Sequence, residues 1–320
     1  MKHFSLALYS LIIPVLFSCK APNPDELKKD LLPEITEAYK AGNWNKVISL
    51  TDSLRNSGVP YTDYIGDKGF DMSYCEALIA TGTPEKAVNE ITNHVDKINP
   101  KDYYAYHTLG VAYMSMQDTT NAIASFNKSI EIRPSYARPY LFLARLYAEK
   151  DPIQSMKNYE STIQLLADHQ LYDDALSIGL EAMDIDSTNI VVLKYLGDAC
   201  FGKEQLEDAK YLYKSVLKEA AQNGMTNPQI FFEAEYQTAV IEYIENNYED
   251  VLTLLQIIYS NASGFPKTEN SVLFGSYVLG AAAAHLMNQP NLSSELLSKA
   301  QEIDKEIATQ HYNSFLSIKQ

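Results

Sequence analysis

Residues 103–134 read YYAYHTLGVAYMSMQDTTNAIASFNKSIEIRP, and the fold turns on this stretch. Apolar and small residues recur at three- and four-residue spacing, first as Tyr106, Leu109, Gly110 and Tyr113, then as Ala122, Phe126 and Ser129. That period predicts two helices separated by a polar turn at Asp118 and closed by Pro134. A small residue such as Gly110 or Ala122 belongs where two helices approach closely, and Tyr113 and Phe126 fill the space beside it. Neither helix can bury its apolar stripe alone, so stability must come from stacking with neighbours.

The pattern continues in both directions. Thirty-four residues on, Tyr140, Leu143, Ala144 and Tyr147 occupy the matching places. Near Ile190 come Leu193, Leu196, Gly197 and Cys200, followed by Ala209, Tyr213 and Val216. Upstream, Tyr74, Cys75 and Leu78 lead through Gly82 to Ala87, Ile91 and Pro100, one residue out of step. Weaker copies sit at Ala175–Ala182, at Tyr236–Leu255 and at Leu279–Ala300, and the segment Leu31–Leu54 is the most degraded. The step from the unit at Ala137 to the one beginning at Met156 is 19 residues, close to half a repeat. Either one extra helix near Pro152–Asp168 serves two units and creates a phase break near 150–156, or one unit has diverged beyond alignment. Turn-rich breaks are expected at Gly58–Gly66, Gln222–Pro228 and Ser260–Lys267. No stretch alternates strictly, so no strand is expected.

The spacing of an aromatic residue, Leu-Gly, Tyr, Ala, Phe and Pro in the quoted stretch resembles the tetratricopeptide repeat. The resemblance implies an all-α protein, a right-handed α-solenoid of about seven helix pairs covering residues 28–320, with sub-arrays 28–151 and 152–320. It also implies that the first helix of each pair lines a concave groove. Carried over by position, that groove holds Tyr104, His107 and Met114, then Arg138, Leu141, Phe142 and Arg145, then Lys194, Tyr195, Asp198 and Phe201. Aromatic and apolar groups beside a few cations suit a peptide. The family variant that clamps a terminal carboxylate with Lys and Asn is not matched, because Val111, His107, Leu141 and Arg145 stand in those places.

The N-terminus carries a separate message. Met1-Lys2-His3 is followed by a mostly apolar run from Phe4 to Phe17, too short for a bilayer span but suited to the core of a secretory signal peptide. Leu16-Phe17-Ser18-Cys19 resembles the lipobox of bacterial lipoproteins, with Phe17 bulkier than the common pattern. The expectation is a signal peptide over 1–18, lipidation of Cys19 and a linker over 19–27, giving an exported protein held at the outer membrane, on its periplasmic face or at the cell surface.

Removing Lys2 with the signal peptide leaves 41 acidic residues against 25 basic ones, a formal charge of −16. Such a charge repels phosphate backbones, so nucleic acid is not expected as a partner. Cys75 and Cys200 lack metal-type spacing and fall on apolar faces, as buried thiols or as a disulfide. No nucleophile elbow, phosphate loop or zinc-type histidine pair is present, and no acid/base pair can be singled out among so many carboxylates. No enzyme, cofactor or metal is therefore expected. Asp52-Ser53-Leu54, Asp118-Thr119-Thr120 and Asp186-Ser187-Thr188 resemble an O-glycosylation acceptor of some bacterial envelopes, though turn formation explains Asp beside Ser or Thr equally well. The expected partners are envelope protein or peptide segments, with the membrane reached through the N-terminal lipid. The alternative is a glycan- or nutrient-binding accessory of an outer-membrane uptake system that uses the 23 tyrosines, and a structural spacer is a third.

Overall fold

The helical period is realised throughout the described residues, which are 24–57, 70–97, 99–224, 227–261 and 271–319 of a computed structural model. Cys19, the residues before it and the turn-rich stretch 58–66 lie outside them, as do 225–226 and 262–267 within the other two expected breaks. Among the described residues there are sixteen helices and no strand. The chain divides into two compact units, one ending at Ser129 and one beginning at Ile130. The first contains α1 (Pro24–Lys40), α2 (Trp44–Asn56), α3 (Phe70–Ala80), α4 (Pro84–Lys97), α5 (Tyr103–Ser115) and most of α6 (Thr119–Ile132). The second contains α7 (Ala137–Tyr147), α8 (Pro152–Asp168), α9 (Tyr172–Met183), α10 (Ile190–Gly202), α11 (Leu206–Asn223) and α12 (Pro228–Ile244). It continues with α13 (Tyr248–Ser260), α14 (Ser271–Leu286), α15 (Pro290–Ile303) and α16 (Lys305–Ser317).

One kind of turn organises these helices. Gly42, Gly82, Gln117, Gln170, Glu204, Asn246 and Asn288 each hold φ between +56° and +79°. In every case the N–H of that residue donates to the carbonyl three residues back, and the next N–H donates five back, as in Gln117 to Met114 and Asp118 to Tyr113, both 2.9 Å. This left-handed termination satisfies carbonyls that a helix end would otherwise leave bare. It also reverses the chain, so each turn marks one helix pair: α1/α2, α3/α4, α5/α6, α8/α9, α10/α11, α12/α13 and α14/α15. The turns supply the register that the sequence blurs. Five residues after them stand Val47, Ala87, Ala122, Ala175, Ala209, Val251 and Ser293, all buried. Twelve after stand Leu54, His94, Ser129, Ala182, Val216, Ile258 and Ala300, likewise buried.

Close packing follows from residue size. A Cβ on Gly110 would lie 2.5 Å from the ring of Phe126, and one on Gly197 would lie 2.6 Å from that of Tyr213. Both rings are fully buried.

In the second unit α8, α10, α12, α14 and α16 touch in series, so the first helices of successive pairs form an inner row. Lys319 Nζ donates to the Ile244 carbonyl at 2.6 Å and Tyr243 Oη to that of Phe315 at 2.9 Å, which holds α16 and the residues after it over the end of that row. The phase break is present: α8 occupies the expected range and packs on α7, α9 and α10. Gln117 and Gln170 stand 53 residues apart, one repeat of 34 plus 19. The helix without a left-handed turn of its own at this break is α7. It reaches α8 through the Asp151 N–H to the Tyr147 carbonyl at 2.8 Å and through Ser155 Oγ to the Ala144 carbonyl at 2.7 Å.

Candidate functional site

The expected groove residues fall in both units. In the first, Asp102 caps α5 by accepting from the Tyr104 and Ala105 N–H groups at 3.0 Å and also meets His94 Nε2 at 3.0 Å. That cap fixes the start of the helix carrying Tyr104, His107 and Met114. Tyr104 Oη donates to Glu76 of α3, whose other oxygen accepts from Tyr39 of α1, so three first helices are tied across one carboxylate. His107 is 4% exposed, with its ring 6.0 Å from Tyr104 and 5.8 Å from Phe126. It packs within the unit, and Met114 is half-buried at the end of the same helix.

In the second unit Arg138 is exposed and Leu141 and Phe142 are half-buried on α7. Leu141 packs against the core shared by α8, α9 and α10. Arg145 grips Glu181 of α9 through two bonds, 3.1 Å from Nε and 2.8 Å from Nη2, so its charge is directed at a neighbouring helix. Phe201, at the end of α10, packs against the core around Tyr213.

Lys194, Tyr195 and Asp198 are brought together on α10. Lys194 is 9% exposed, and its ammonium lies 2.8 Å from both Asp198 Oδ2 and Glu233 Oε2, bridging α10 to α12. It also sits 4.2 Å above the Tyr195 ring. Burial works to lower the Lys194 pKa, but the two carboxylates carry it well above the ordinary lysine value. Asp198 moves the other way from a simple ion-pair partner: burial raises its pKa more than Lys194 and the Tyr213 hydroxyl lower it.

Beside this cluster an open cleft of about 280 Å³ is lined by Lys194, Glu233, Tyr236, Gln237, Ser271 and Val272, contributed by α10, α12 and α14. Burial pushes the Tyr236 hydroxyl up to about 12. Glu233 and Gln237 escape the sequence reading and Tyr236 enters it only as a packing position of a weaker copy, although Tyr236 and Gln237 are the register equivalents of Lys194 and Tyr195. Both pairs stand ten and nine residues before their left-handed turns, at Asn246 and Glu204. The signal was masked because those turns are 42 residues apart instead of 34. The extra length lies in the 18-residue α11 and 17-residue α12.

Other features have structural roles. Cys75 and Cys200 are buried free thiols. Asp118 accepts from the Asn121 N–H at 3.1 Å at the start of α6, and Asp186 accepts from the Thr188 N–H at 2.9 Å in the turn before α10, so both order their turns. Several tyrosines, among them Tyr74, Tyr159, Tyr213 and Tyr243, are buried in the packing. Among the described residues no group of three or more potential ligands could hold a metal ion, and no helix is long and apolar enough to cross a membrane.

With this geometry in hand, residues 103–136 match the sequence model of the tetratricopeptide repeat family. That stretch is the α5/α6 pair with its flanking turns. No match was found among curated protein sequences. Among solved structures, the Cut9-Hcn1 hetero-tetramer of the APC/C is 14% identical over 92% of this chain, with a TM-score of 0.42, and the chain spans 58% of that protein's length. PilF of Pseudomonas aeruginosa is 15% identical over 77% of this chain and 95% of its own, with a TM-score of 0.37. A tetratricopeptide repeat protein from Parabacteroides merdae is 9% identical over 91% of this chain and 99% of its own, with a TM-score of 0.36. At these identities and scores the likenesses carry no argument about function.

Proposed function

We propose that this protein is a lipid-anchored scaffold of the bacterial cell envelope, tethered through Cys19, that binds protein segments along the first helices of its second unit. The observation that carries the reading is the cleft between α10, α12 and α14. Tyr236 lines that cleft and Tyr195 lies against the Lys194 ammonium beside it, on helices that neighbouring pairs hold in a row. Aromatic anchors on a rigid helical face are how groove-binding proteins hold segments of a partner. The apolar run ending at Ser18-Cys19 supports the tether, and two or more acyl chains suffice for stable attachment. The fold alone selects no partner.

The test is affinity capture from crosslinked cells, comparing the native protein with a Cys19→Ala form and a Tyr195→Ala/Tyr236→Ala form. The native protein is expected to recover a reproducible set of envelope proteins from the membrane fraction. The cysteine variant should leave that fraction, and the tyrosine variant should remain there but lose the set. Indistinguishable recovery by all three forms would overturn the reading.

A further inference from the structure

Among the described residues around the cleft the charges do not balance. Lys194 is its buried cation, and it faces two carboxylates, Asp198 and Glu233, each 2.8 Å away. Asp168 at the end of α8 adds a third negative charge to the field felt by Tyr195. Asp198 and Glu233 are 24% and 23% exposed, so each carboxylate is reachable from solvent. Asp198 Oδ1 already accepts from Tyr213 Oη at 2.8 Å, and Glu233 Oε1 from Gln229 Nε2 at 2.9 Å. Each oxygen thus has one protein partner, and a carboxylate oxygen has room for a second. Alongside stand a tyrosine ring and the Gln237 amide, surfaces suited to an aliphatic stem and a peptide backbone. A half-buried cluster that is net negative among the described residues, with Lys194 fully engaged, discriminates by ligand charge.

Resting on the segment-binding reading above, we infer that the cleft selects segments carrying a lysine or arginine, whose cationic head pairs with Glu233, in the field of Asp198, while its stem lies against Tyr236. The ligand class is therefore a basic stretch of a partner protein, the reverse of a site that clamps a carboxylate.

The test uses purified protein and three fluorescein-labelled twelve-residue peptides of matched sequence. They carry two arginines, two glutamines or two glutamates at the same positions. The triple variant Lys194→Met/Asp198→Asn/Glu233→Gln keeps the shape of the cluster, removes its net charge and leaves no buried ion alone. Asp168→Asn removes a neighbouring charge without touching the cluster. The expected result is that the arginine peptide binds at least about tenfold more tightly than the others, loses that margin in the triple variant and part of it in Asp168→Asn. Helical content and the melting transition of each variant confirm that it is folded. Equal binding of the three peptides, sensitive to Tyr236→Ala but not to the charge variants, would overturn the cationic preference while leaving segment binding standing. Binding of none of the peptides, or preference for the glutamate peptide, would overturn it as well, and the first of these would remove the segment-binding reading with it.

Discussion

Glu235 of α12 places a carboxyl in the packed interior. It stands eleven residues before a left-handed turn, a place that Leu31, Asp71, Tyr106, Tyr159, Leu193 and Tyr277 hold in the other six pairs. It is 2% exposed, and burial pushes its carboxyl up to about 7. The native state therefore holds that proton more tightly than the unfolded chain, whose value is the ordinary 4.5. Its effect on stability is nil below about pH 4.5 and becomes unfavourable as pH rises to about 7, reaching on the order of 3 kcal/mol. Urea unfolding of Glu235→Gln across pH should show little difference from the native protein near pH 4 and a gain of about that size at pH 8. A pH-independent difference would assign the effect to packing. Gly197 gives a contrasting prediction. A Cβ there meets the fully buried Tyr213 ring, so Gly197→Ala is expected to lose about 1–3 kcal/mol, read as a lower urea midpoint with an unchanged slope.

At the scale of elements, the turns decide where each helix pair begins. Glu204 and Asn246 accept φ of +60° and +70°, a conformation that costs a side-chain-bearing residue about 1–2 kcal/mol and glycine almost nothing. Glu204→Gly is therefore expected to raise the thermal midpoint, and Gly42→Ala, at φ +65°, to lower it. These turns also explain what the sequence hides. The pair at 103–134 is legible because Gly110, Ala122 and Phe126 keep the sizes that close packing demands, and the pair at 190–216 repeats them as Gly197, Ala209 and Tyr213. The 19-residue step at α8 is legible from spacing, which leaves open whether a helix is extra or a unit has diverged. In α8/α9 the sizes are exchanged, with Ile163 on the first helix and Gly179 on the second, so a search for small-then-large loses register. The inner-face residues suffered most. Lys194, Tyr195 and Asp198 were reached by counting from Gly197, whereas Glu233, Tyr236 and Gln237 lie on a helix with no such landmark. His107 has the right position but packs between Tyr104 and Phe126, because inner-face register fixes direction and not exposure.

Across the whole molecule, an acidic chain of formal charge −15 presents a cleft that is itself acidic, so long-range attraction and local pairing favour the same basic partners. Outside the inner row, Tyr211 on α11 is 73% exposed, a large apolar surface that the account assigns no partner. The decisive measurement is photo-crosslinking in living cells from a photoreactive amino acid placed at Gln237 in the cleft or at Tyr211 outside it. A discrete protein adduct is expected from position 237, diminished by the Lys194→Met/Asp198→Asn/Glu233→Gln background, and none from position 211. An adduct from 211 with none from 237 would contradict it and move the binding surface to the second helices.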